Sequence, residues 1–372
     1  MACCAMAMSV LGAGCATIGD RLEVANDVHA VAQAAADFYV KDGGDDTCVV
    51  GVVRGTSGEP VFACAGGADE HGIYRIASLS KLFLAQVLHK LREDGRVDVD
   101  LPVSACSRLA LPPECERVTL RDLLCNRSGL PREFLDPWNP IDMFTAFRCG
   151  FVGSHIYSEF DSRESFVREI NRPCWRAAMR KGGSAYSNMG FGLLGMALED
   201  VLGRDLENIL QDELARPRGY ADTTYHPHGE QTNRLTRACA GHLPWLVRRR
   251  REVPDHRLGD ALRAAGGLFS SAADCISCFR SCWPIIDDCM KERPLESYPE
   301  DSVHGLLRVH VLRDGRRVLY RSGMIYGGAS FVGFDPSTRT IVLILRNVTS
   351  WPDRRGFDVM ERLNELYAKD KL

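Results

Sequence analysis

The stretch RIASLSKLFLAQVLHKLREDG, residues 75–95, places a serine three positions before a lysine at the start of a helical pattern. Apolar residues recur at helical spacing up to Leu91, and Gly95 predicts the end of the helix. Residues three apart share one face of a helix, so we expect the Lys81 amine to reach the Ser78 hydroxyl. The helix N-terminus also favours negative charge beside the serine. Alone the pair is a weak signal, because such a spacing is expected about once by chance in a chain of this length.

A second polar group, Tyr186-Ser187-Asn188, lies in a predicted turn before the helical run FGLLGMALEDVLG. Side chains two apart in an extended turn point to the same side, so Tyr186 and Asn188 would face one surface. A phenol becomes an acid or base when a cation such as Lys81 lowers its pKa. The Asn188 amide would accept from Lys81 and donate to a substrate carbonyl. The structural alternative is a half-buried Tyr186 and an Asn188 that caps the helix.

The third group is Arg321-Ser322-Gly323, at the end of a predicted strand. A glycine there lets a substrate approach the backbone closely. The backbone amide of Met324 would then join that of Ser78 in holding an oxyanion. Taken singly, this group is an ordinary strand end.

In chain order, these groups resemble the penicillin-recognising serine enzymes, namely class C β-lactamases, D,D-peptidases and their esterase and acyltransferase relatives. The resemblance runs from about residue 73 to residue 347. It is carried by the stretches RIASLSK, LRDLLCNRSGLP, YSNMGFGLLG, AAGGLFSSAADC and GGASFVGFDPSTRTIVLILRN, each at the expected place in the order.

The resemblance implies that Ser78 is the nucleophile, Lys81 its proton partner and Tyr186 the second acid/base group. It implies that Asn188 is a substrate-orienting donor. The third motif supplies the remaining predicted substrate-binding residues, Arg321, Ser322, Gly323 and Met324. Whether Lys81 or Tyr186 takes the first proton stays open.

Two positions depart from the family pattern. The third motif of the family usually begins with Lys or His, whereas this chain has Arg321. Arginine keeps a positive charge for a substrate carboxylate and for lowering the Tyr186 pKa, but it does not give up a proton and its fork is bulkier. Efficient β-lactamase activity is therefore less expected. The second departure is Cys125-Asn126-Arg127, where relatives often carry Thr-His-Thr, and we interpret it as a change in packing.

Short β-branched runs flank a helical middle section. They predict strands at residues 47–53, 60–65, 306–312, 316–321, 328–334 and 340–347. Helices are predicted at 21–40 and 353–368, and Thr119 with Asp122 predicts a capping box in the middle section.

This arrangement predicts an α+β fold of the β-lactamase/transpeptidase type, in which helices flank an antiparallel sheet and a mainly helical domain is inserted. We assign residues 21–97 and 256–372 to the sheet domain, 98–255 to the helical domain and 1–20 to an apolar N-terminal segment. Catalysis would occur in the cleft between the two domains.

Composition argues against several partners. A net charge of -3 and a pI near 6.4 give no field that would attract nucleic acid. The 15 cysteines are scattered, and we interpret them as reduced thiols that pack as small hydrophobes. The group Cys275, Cys278, Cys282 and Cys289 lacks a paired knuckle or a neighbouring His, so we expect no metal. Phosphate-binding glycine loops are absent, and we expect no cofactor.

We expect a cytoplasmic location and no membrane association, because the apolar N-terminal segment lacks the basic residues of an export signal. Export or a lipoprotein anchor at Cys15 is the alternative. For function, the leading hypothesis is an esterase or amidase that acts on a small-molecule or peptide acyl substrate through a Ser78 acyl-enzyme. An acyltransferase on the same scaffold and a non-catalytic binding protein are the alternatives.

Overall fold

The structure, a computed structural model, describes most of the chain. The described residues are 19–40, 46–133, 139–144, 162–181, 185–239, 257–292, 295, 303–304 and 306–369.

A seven-stranded sheet in which every pair of neighbouring strands is antiparallel forms the centre of the molecule. Its strands are β1 (Cys48–Arg54), β2 (Val61–Ala65), β5 (Val303–His304), β6 (Leu307–Val311), β7 (Arg317–Ile325), β8 (Gly328–Asp335) and β9 (Thr340–Arg346), in the order β2-β1-β9-β8-β7-β6-β5. The two-residue strands β3 (Tyr74–Arg75) and β4 (Phe269–Ser270) pair separately. The predicted hairpin between residues 47 and 65 is confirmed as β1 and β2.

Helices lie on both faces of the sheet and make up most of the section between β3 and β4. In chain order they are α1 (Gly19–Val24), α2 (Val28–Tyr39), α3 (Ser80–Glu93), α4 (Val103–Cys106), α5 (Leu120–Leu124), α6 (Arg163–Ile170), α7 (Pro173–Lys181), α8 (Asn188–Leu202), α9 (Leu206–Leu210), α10 (Arg216–Arg218), α11 (Glu230–Asn233), α12 (Arg263–Gly266), α13 (Ala272–Arg280), α14 (Trp283–Glu292) and α15 (Asp353–Lys369). Turns of 3₁₀ helix occupy Ala77–Leu79 and Pro113–Arg117, and a π-helical turn occupies Gln211–Ala215.

Alternation along the central strands explains why both faces are covered. In β9, Val342 and Ile344 pack in a core with the residues of α2 and α15, whereas Leu343 and Leu345 pack in the larger core on the other face. A strand whose two faces are both buried reads as a continuous apolar run, as IVLIL does here. Together with the helices between β3 and β4, this sheet confirms the α+β class. The division at residues 97/98 and 255/256 stays a prediction.

Some element boundaries differ from the sequence-based expectation. The expected helix at 21–40 is two helices, because the Asp27 carboxylate accepts from Ala30 N and starts α2 anew. The expected helix start at Ser78 is a 3₁₀ turn, and α3 begins at Ser80. The strand expected to end at Arg321 continues to Ile325, because residues up to Ile325 pair with β8. The capping box at Thr119 is confirmed.

Residues 1–18 of the apolar N-terminal segment lie outside the described residues. Among the helices that are described, none is both long and apolar enough to pass through a bilayer.

Candidate active site

Ser78 lies in the 3₁₀ turn that precedes α3. The segment that leads into β4 packs against this turn, and so does strand β7. The turn is tied to residues near β4, because Ile76 N donates to Leu268 O and Leu268 N donates to Ser80 Oγ. Ala77, immediately before the serine, has a φ of 48°, which is unusual for a residue with a Cβ. Strained backbone of this kind persists where surrounding contacts fix it and is frequent at functional sites.

Lys81 is completely buried, and its amine contacts several oxygen atoms. Its Nζ lies 3.3 Å from Ser78 Oγ and 2.8 Å from Asn188 Oδ1, and it also donates to Ala265 O. The contact with Ser78 expected from the sequence is therefore present. Burial lowers the pKa of Lys81 to about 8, although the nearby Tyr186 and Glu133 act in the opposite direction.

Tyr186 is the second side chain, after Lys81, that contacts the Ser78 hydroxyl. Its hydroxyl oxygen lies 2.7 Å from Ser78 Oγ. The ring centroid is 5.0 Å from Lys81 Nζ, 4.8 Å from the Arg321 guanidinium carbon and 5.4 Å from that of Arg132. Burial raises the pKa of the phenol, but Lys81 and Arg321 more than offset it and bring the pKa down to about 8.

Asn188 links Lys81 to a carboxylate. Its Oδ1 accepts from Lys81, and its Nδ2 donates to Glu133 Oε1 at 3.1 Å. The helix-cap alternative for Asn188 is wrong, because Ser187 is the cap of α8 and its Oγ accepts from Gly190 N at 2.8 Å. Glu133 was not singled out from the sequence; its only signal is its place two residues after Gly-Leu-Pro.

Asn126 holds the backbone on both sides of Tyr186. Ala185 N donates to Asn126 O, and Ser187 N donates to Asn126 Oδ1, each at 3.0 Å. Asn126 is buried and has a φ of 55°, a left-handed conformation that asparagine tolerates better than most residues. We interpreted residues 125–127 from the sequence as a change in packing. The structure shows in addition that Asn126 accepts hydrogen bonds from the backbone on both sides of Tyr186.

The third motif divides between two faces of β7 because successive side chains in a strand point in opposite directions. Arg321 faces the site, but it is buried: its Nε donates to Ser78 O at 3.1 Å and its Nη1 to Leu306 O. Ser322 faces the other side, where its hydroxyl donates to the carboxylate of Asp353 at the start of α15. This placement supports an action of Arg321 on Tyr186 rather than a direct contact with a substrate carboxylate.

Gly323 allows close packing of two backbones. A Cβ at this position would lie 2.7 Å from Ser78 N and 2.9 Å from Ile76 O. The sequence suggested that a substrate would approach here, whereas in the structure the approaching backbone is that of the Ser78 turn. The glycine thereby places β7 directly beside the amide of the proposed nucleophile.

A small pocket that is open to solvent lies beside Ser78. Its described lining is apolar apart from the serine and Asn188, and includes Leu258, Leu262 and Met324. Met324, which was expected to donate its backbone amide to the oxyanion, therefore lies next to the nucleophile.

The expected thiol packing is seen in α13 and the turn after it. Cys275, Cys278 and Cys282 are buried, and Gln86 Nε2 lies 2.8 Å from Cys278 Sγ and 3.2 Å from Cys282 Sγ. Within the part of the chain that the structure describes, no group of three or more His, Cys, Asp or Glu side chains is arranged to hold a metal ion. The Cys289 side chain lies outside that part.

Comparison with known proteins agrees with this geometry. A family model described as Beta-lactamase matches residues 39–365 of the chain. The D-alanyl-D-alanine-carboxypeptidase/endopeptidase AmpH of Escherichia coli strain K12 is 32% identical over 179 residues, which are 46% of this chain and 42% of that protein. The chain thus spans less than half the length of the curated relatives it matches.

Solved structures share the fold. The D-stereospecific amidohydrolase from Streptomyces sp. has a TM-score of 0.64 and 22% identity, with 90% of this chain and 97% of that chain covered. The D-amino acid amidase from Ochrobactrum anthropi SV3, complexed with L-phenylalanine amide, has a TM-score of 0.63 and 20% identity, with 91% and 99% covered. The octameric penicillin-binding protein homologue from Pyrococcus abyssi has a TM-score of 0.63 and 20% identity, with 86% and 73% covered. The likenesses of fold and the family match over most of the sequence confirm the resemblance, and the chain belongs to the β-lactamase family.

Proposed function

We propose that the protein is a serine hydrolase that cleaves amide or ester bonds through an acyl-enzyme on Ser78. The observation that carries the proposal is that one hydroxyl, that of Ser78, is 2.7 Å from a phenol and 3.3 Å from an amine. A nucleophile within hydrogen-bond distance of a base, with a cation beside that base, is the arrangement that nucleophilic catalysis requires.

Tyr186 is proposed as the first base. Lys81 Nζ donates to Asn188 Oδ1 and Ala265 O, which only accept hydrogen bonds, and its side chain also hydrogen-bonds Tyr186. As an ammonium, Lys81 has a third N–H that can serve the Tyr186 oxygen. That charge, with the Arg321 guanidinium, stabilises Tyr186 as a phenolate that accepts the proton from Ser78.

In acylation, Ser78 Oγ bonds to the substrate carbonyl carbon while its proton moves to the Tyr186 oxygen. The carbonyl electron pair forms an oxyanion, which the backbone amides of Ser78 and Met324 would stabilise. Collapse of this intermediate breaks the bond to the leaving amine or alcohol, which takes the proton from Tyr186. Water then attacks the acyl carbon, gives a proton to Tyr186 and releases the acid, and Ser78 regains its proton.

The names of the relatives support amides as the substrate class. AmpH is named a carboxypeptidase and endopeptidase for D-alanyl-D-alanine, and two structural neighbours are named for amide hydrolysis on D-configured compounds. We therefore propose small amides or esters of D-amino acids, or short peptides that contain them, as substrates. An uncharged cavity lining is compatible with an alanine-sized side chain.

The proposal is tested by treating the protein with a serine-directed fluorophosphonate and locating the added mass by peptide mapping. Label at Ser78, absent from Ser78→Ala, supports an acyl-enzyme, whereas an unreactive Ser78 favours the non-catalytic alternative. A chromogenic panel of an amide, an ester and a β-lactam, each with and without added hydroxylamine or alcohol, then separates hydrolysis from acyl transfer. Product formed predominantly on the added acceptor would overturn the hydrolase assignment.

A further inference from the structure

The strained residue Ala77 lies between two peptide groups whose directions determine how Ser78 is presented. Its φ of 48° is unfavourable for a residue with a Cβ, so the backbone tends to relax unless other contacts hold it. The peptide that joins Ala77 to Ser78 carries the Ala77 carbonyl and the Ser78 N–H, which point in opposite directions because the peptide is planar and trans. Whatever fixes the Ala77 carbonyl therefore also fixes the N–H assigned to the oxyanion in the proposed mechanism.

The hydroxyl of Ser80 fixes the Ala77 carbonyl. Ser80 is completely buried, and its Oγ donates to Ala77 O at 2.5 Å. Leu268 N donates to the same Oγ at 3.1 Å. Because a hydroxyl has a single proton, this contact leaves that proton for Ala77 O. Ser80 thus connects the carbonyl to the segment that leads into β4.

The hydroxyl of Ser330 fixes the peptide on the other side of Ala77. Ser330 is completely buried in β8, and its Oγ donates to Ile76 O at 2.7 Å. Gly323 pairs with Ser330 across β7 and β8, and a Cβ at Gly323 would lie 2.6 Å from Ser330 Oγ. The glycine therefore leaves the space through which the Ser330 hydroxyl reaches the turn.

Backbone donors alone would not anchor these two carbonyls. Ile76 O also accepts from Leu79 N, and Ala77 O also accepts from Ser80 N, but both of these amides belong to the turn or to the start of α3 and would move with it. The two hydroxyls connect the turn to structure outside it, namely strand β8 and the segment before β4. A hydrogen bond to a carbonyl also polarises its peptide and strengthens the N–H of the same unit as a donor.

We propose that Ser80 and Ser330 are positioning residues for the oxyanion hole. Their hydroxyls fix the two peptides on either side of Ala77 and so direct the Ser78 N–H at the oxyanion. Both side chains are completely buried, so they act through the turn and not on the substrate. The inference rests on the proposed hydrolase function, in which the Ser78 amide stabilises the oxyanion.

The test compares 4-nitrophenyl acetate with its thionoester analogue, in which sulfur replaces the carbonyl oxygen. Sulfur is larger and accepts hydrogen bonds weakly, so a well-directed N–H favours the oxygen ester. The measurement is the ratio of the two kcat/KM values, each divided by the rate constant of the uncatalysed reaction. This ratio does not depend on the fraction of folded protein. The unchanged protein should favour the oxygen ester by about 100-fold, the usual contribution of one oxyanion-hole donor.

Ser80→Ala and Ser330→Ala should each lower this preference by about tenfold, because the Ser78 N–H is then less well directed. Ser80→Cys and Ser330→Cys keep a side chain with a weaker donor, so their preference should lie between those of the alanine variants and the unchanged protein. They also serve where an alanine variant yields no folded protein. The matched control is Ser270→Ala, which removes another completely buried hydroxyl, one that bonds Thr223, and should leave the ratio unchanged.

An unchanged ratio in both alanine variants overturns the inference, as does an unchanged protein that shows no preference for the oxygen ester. In these cases the hydrolase proposal stands by its own label at Ser78. If Ser78 takes the fluorophosphonate label but neither ester is hydrolysed, the rate constants of labelling are compared, and equal values in the alanine variants and the unchanged protein overturn the inference. A protein that neither takes the label nor hydrolyses either ester overturns both.

Discussion

The hydroxyl oxygens of Ser78 and Tyr186 lie 2.7 Å apart, closer than the 3.3 Å between Ser78 and the Lys81 amine. The shorter contact joins the proposed nucleophile to the group whose pKa the surrounding cations lower. The longer contact joins it to a lysine that is already bonded to two obligate acceptors. The geometry therefore favours a division of labour in which the phenol moves the proton and the ammonium stabilises the phenolate.

Tyr186→Phe tests this division. It removes the proposed base and leaves Lys81 in place, so we expect kcat/KM to fall by about 100-fold or more, the usual contribution of general acid–base catalysis. The measurement is steady-state hydrolysis of the best chromogenic substrate. Tyr39→Phe is the matched control, because Tyr39 is buried against the opposite face of the sheet and donates only to Pro352 O. A Tyr186→Phe protein with nearly full activity would assign the proton transfer to Lys81.

The pH dependence of kcat/KM should be bell-shaped, with a maximum near pH 8. Below it, Tyr186 is protonated, because Lys81 and Arg321 lower its pKa only to about 8 against the effect of burial. Above it, Lys81 loses the proton that stabilises the phenolate, because burial lowers its pKa to about 8. The two groups are in contact, so the two pKa values read from the profile describe the pair as a unit and not either residue alone.

Arg321→Met should move the acidic limb of that profile to higher pH. Removing the guanidinium takes away one of the two cations that lower the Tyr186 pKa, so less phenolate is present at pH 7 and kcat/KM there should fall by about tenfold. Part of the activity should return at higher pH. Arg321→Lys retains the charge and should keep the limb closer to its original position. An acidic limb that does not move in Arg321→Met would contradict the electrostatic role of Arg321.

Much of the fold follows from local patterns. The apolar runs of β1 and β9 and the Thr119 capping box predict their own structure, because burial on two faces and helix capping are local requirements. The order of the motifs predicts which segments meet, and Ser78, Lys81, Tyr186 and Asn188 do form one hydrogen-bonded cluster.

Contacts that depend on distant backbone were not predictable in this way. The direction of Ser322 depends on how far β7 continues, which its pairing with β8 decides and the turn-forming residues do not show. The contacts of Asn126 and Glu133 with the Tyr186–Asn188 segment join residues more than fifty positions apart. A single sequence contains no periodic signal for such pairs.

Neighbouring substitutions in β7 should both lower stability but differ in their effect on the labelling of Ser78. Gly323→Ala places a Cβ within 2.7 Å of Ser78 N, and the backbone there has little room to move, so we expect a loss of about 1–3 kcal/mol in stability and strongly reduced labelling of Ser78. Ser322→Ala removes the hydroxyl that bonds Asp353 on the other face, so thermal stability should fall while labelling continues at a similar rate. Thermal unfolding and fluorophosphonate labelling rates measure both effects. A Ser322→Ala protein with a strongly raised KM would instead support the predicted substrate-binding role of Ser322.

Asn126 supplies the last prediction, since it fixes the backbone on both sides of Tyr186. Asn126→Gly accepts the φ of 55° without strain but removes the side-chain acceptor of the Ser187 amide, which is buried. Asn126→Ala removes the same acceptor and adds the cost of a left-handed conformation, about 1–2 kcal/mol. We therefore expect both variants to lose kcat to a similar extent, about tenfold, while only the alanine variant shows the larger drop in thermal stability. The paired measurement separates positioning from folding, because a loss of kcat that followed stability would be larger in the alanine variant than in the glycine variant. If Asn126→Gly reacts with the fluorophosphonate as fast as the unchanged protein, the side-chain hydrogen bond from Ser187 N does not position the phenol.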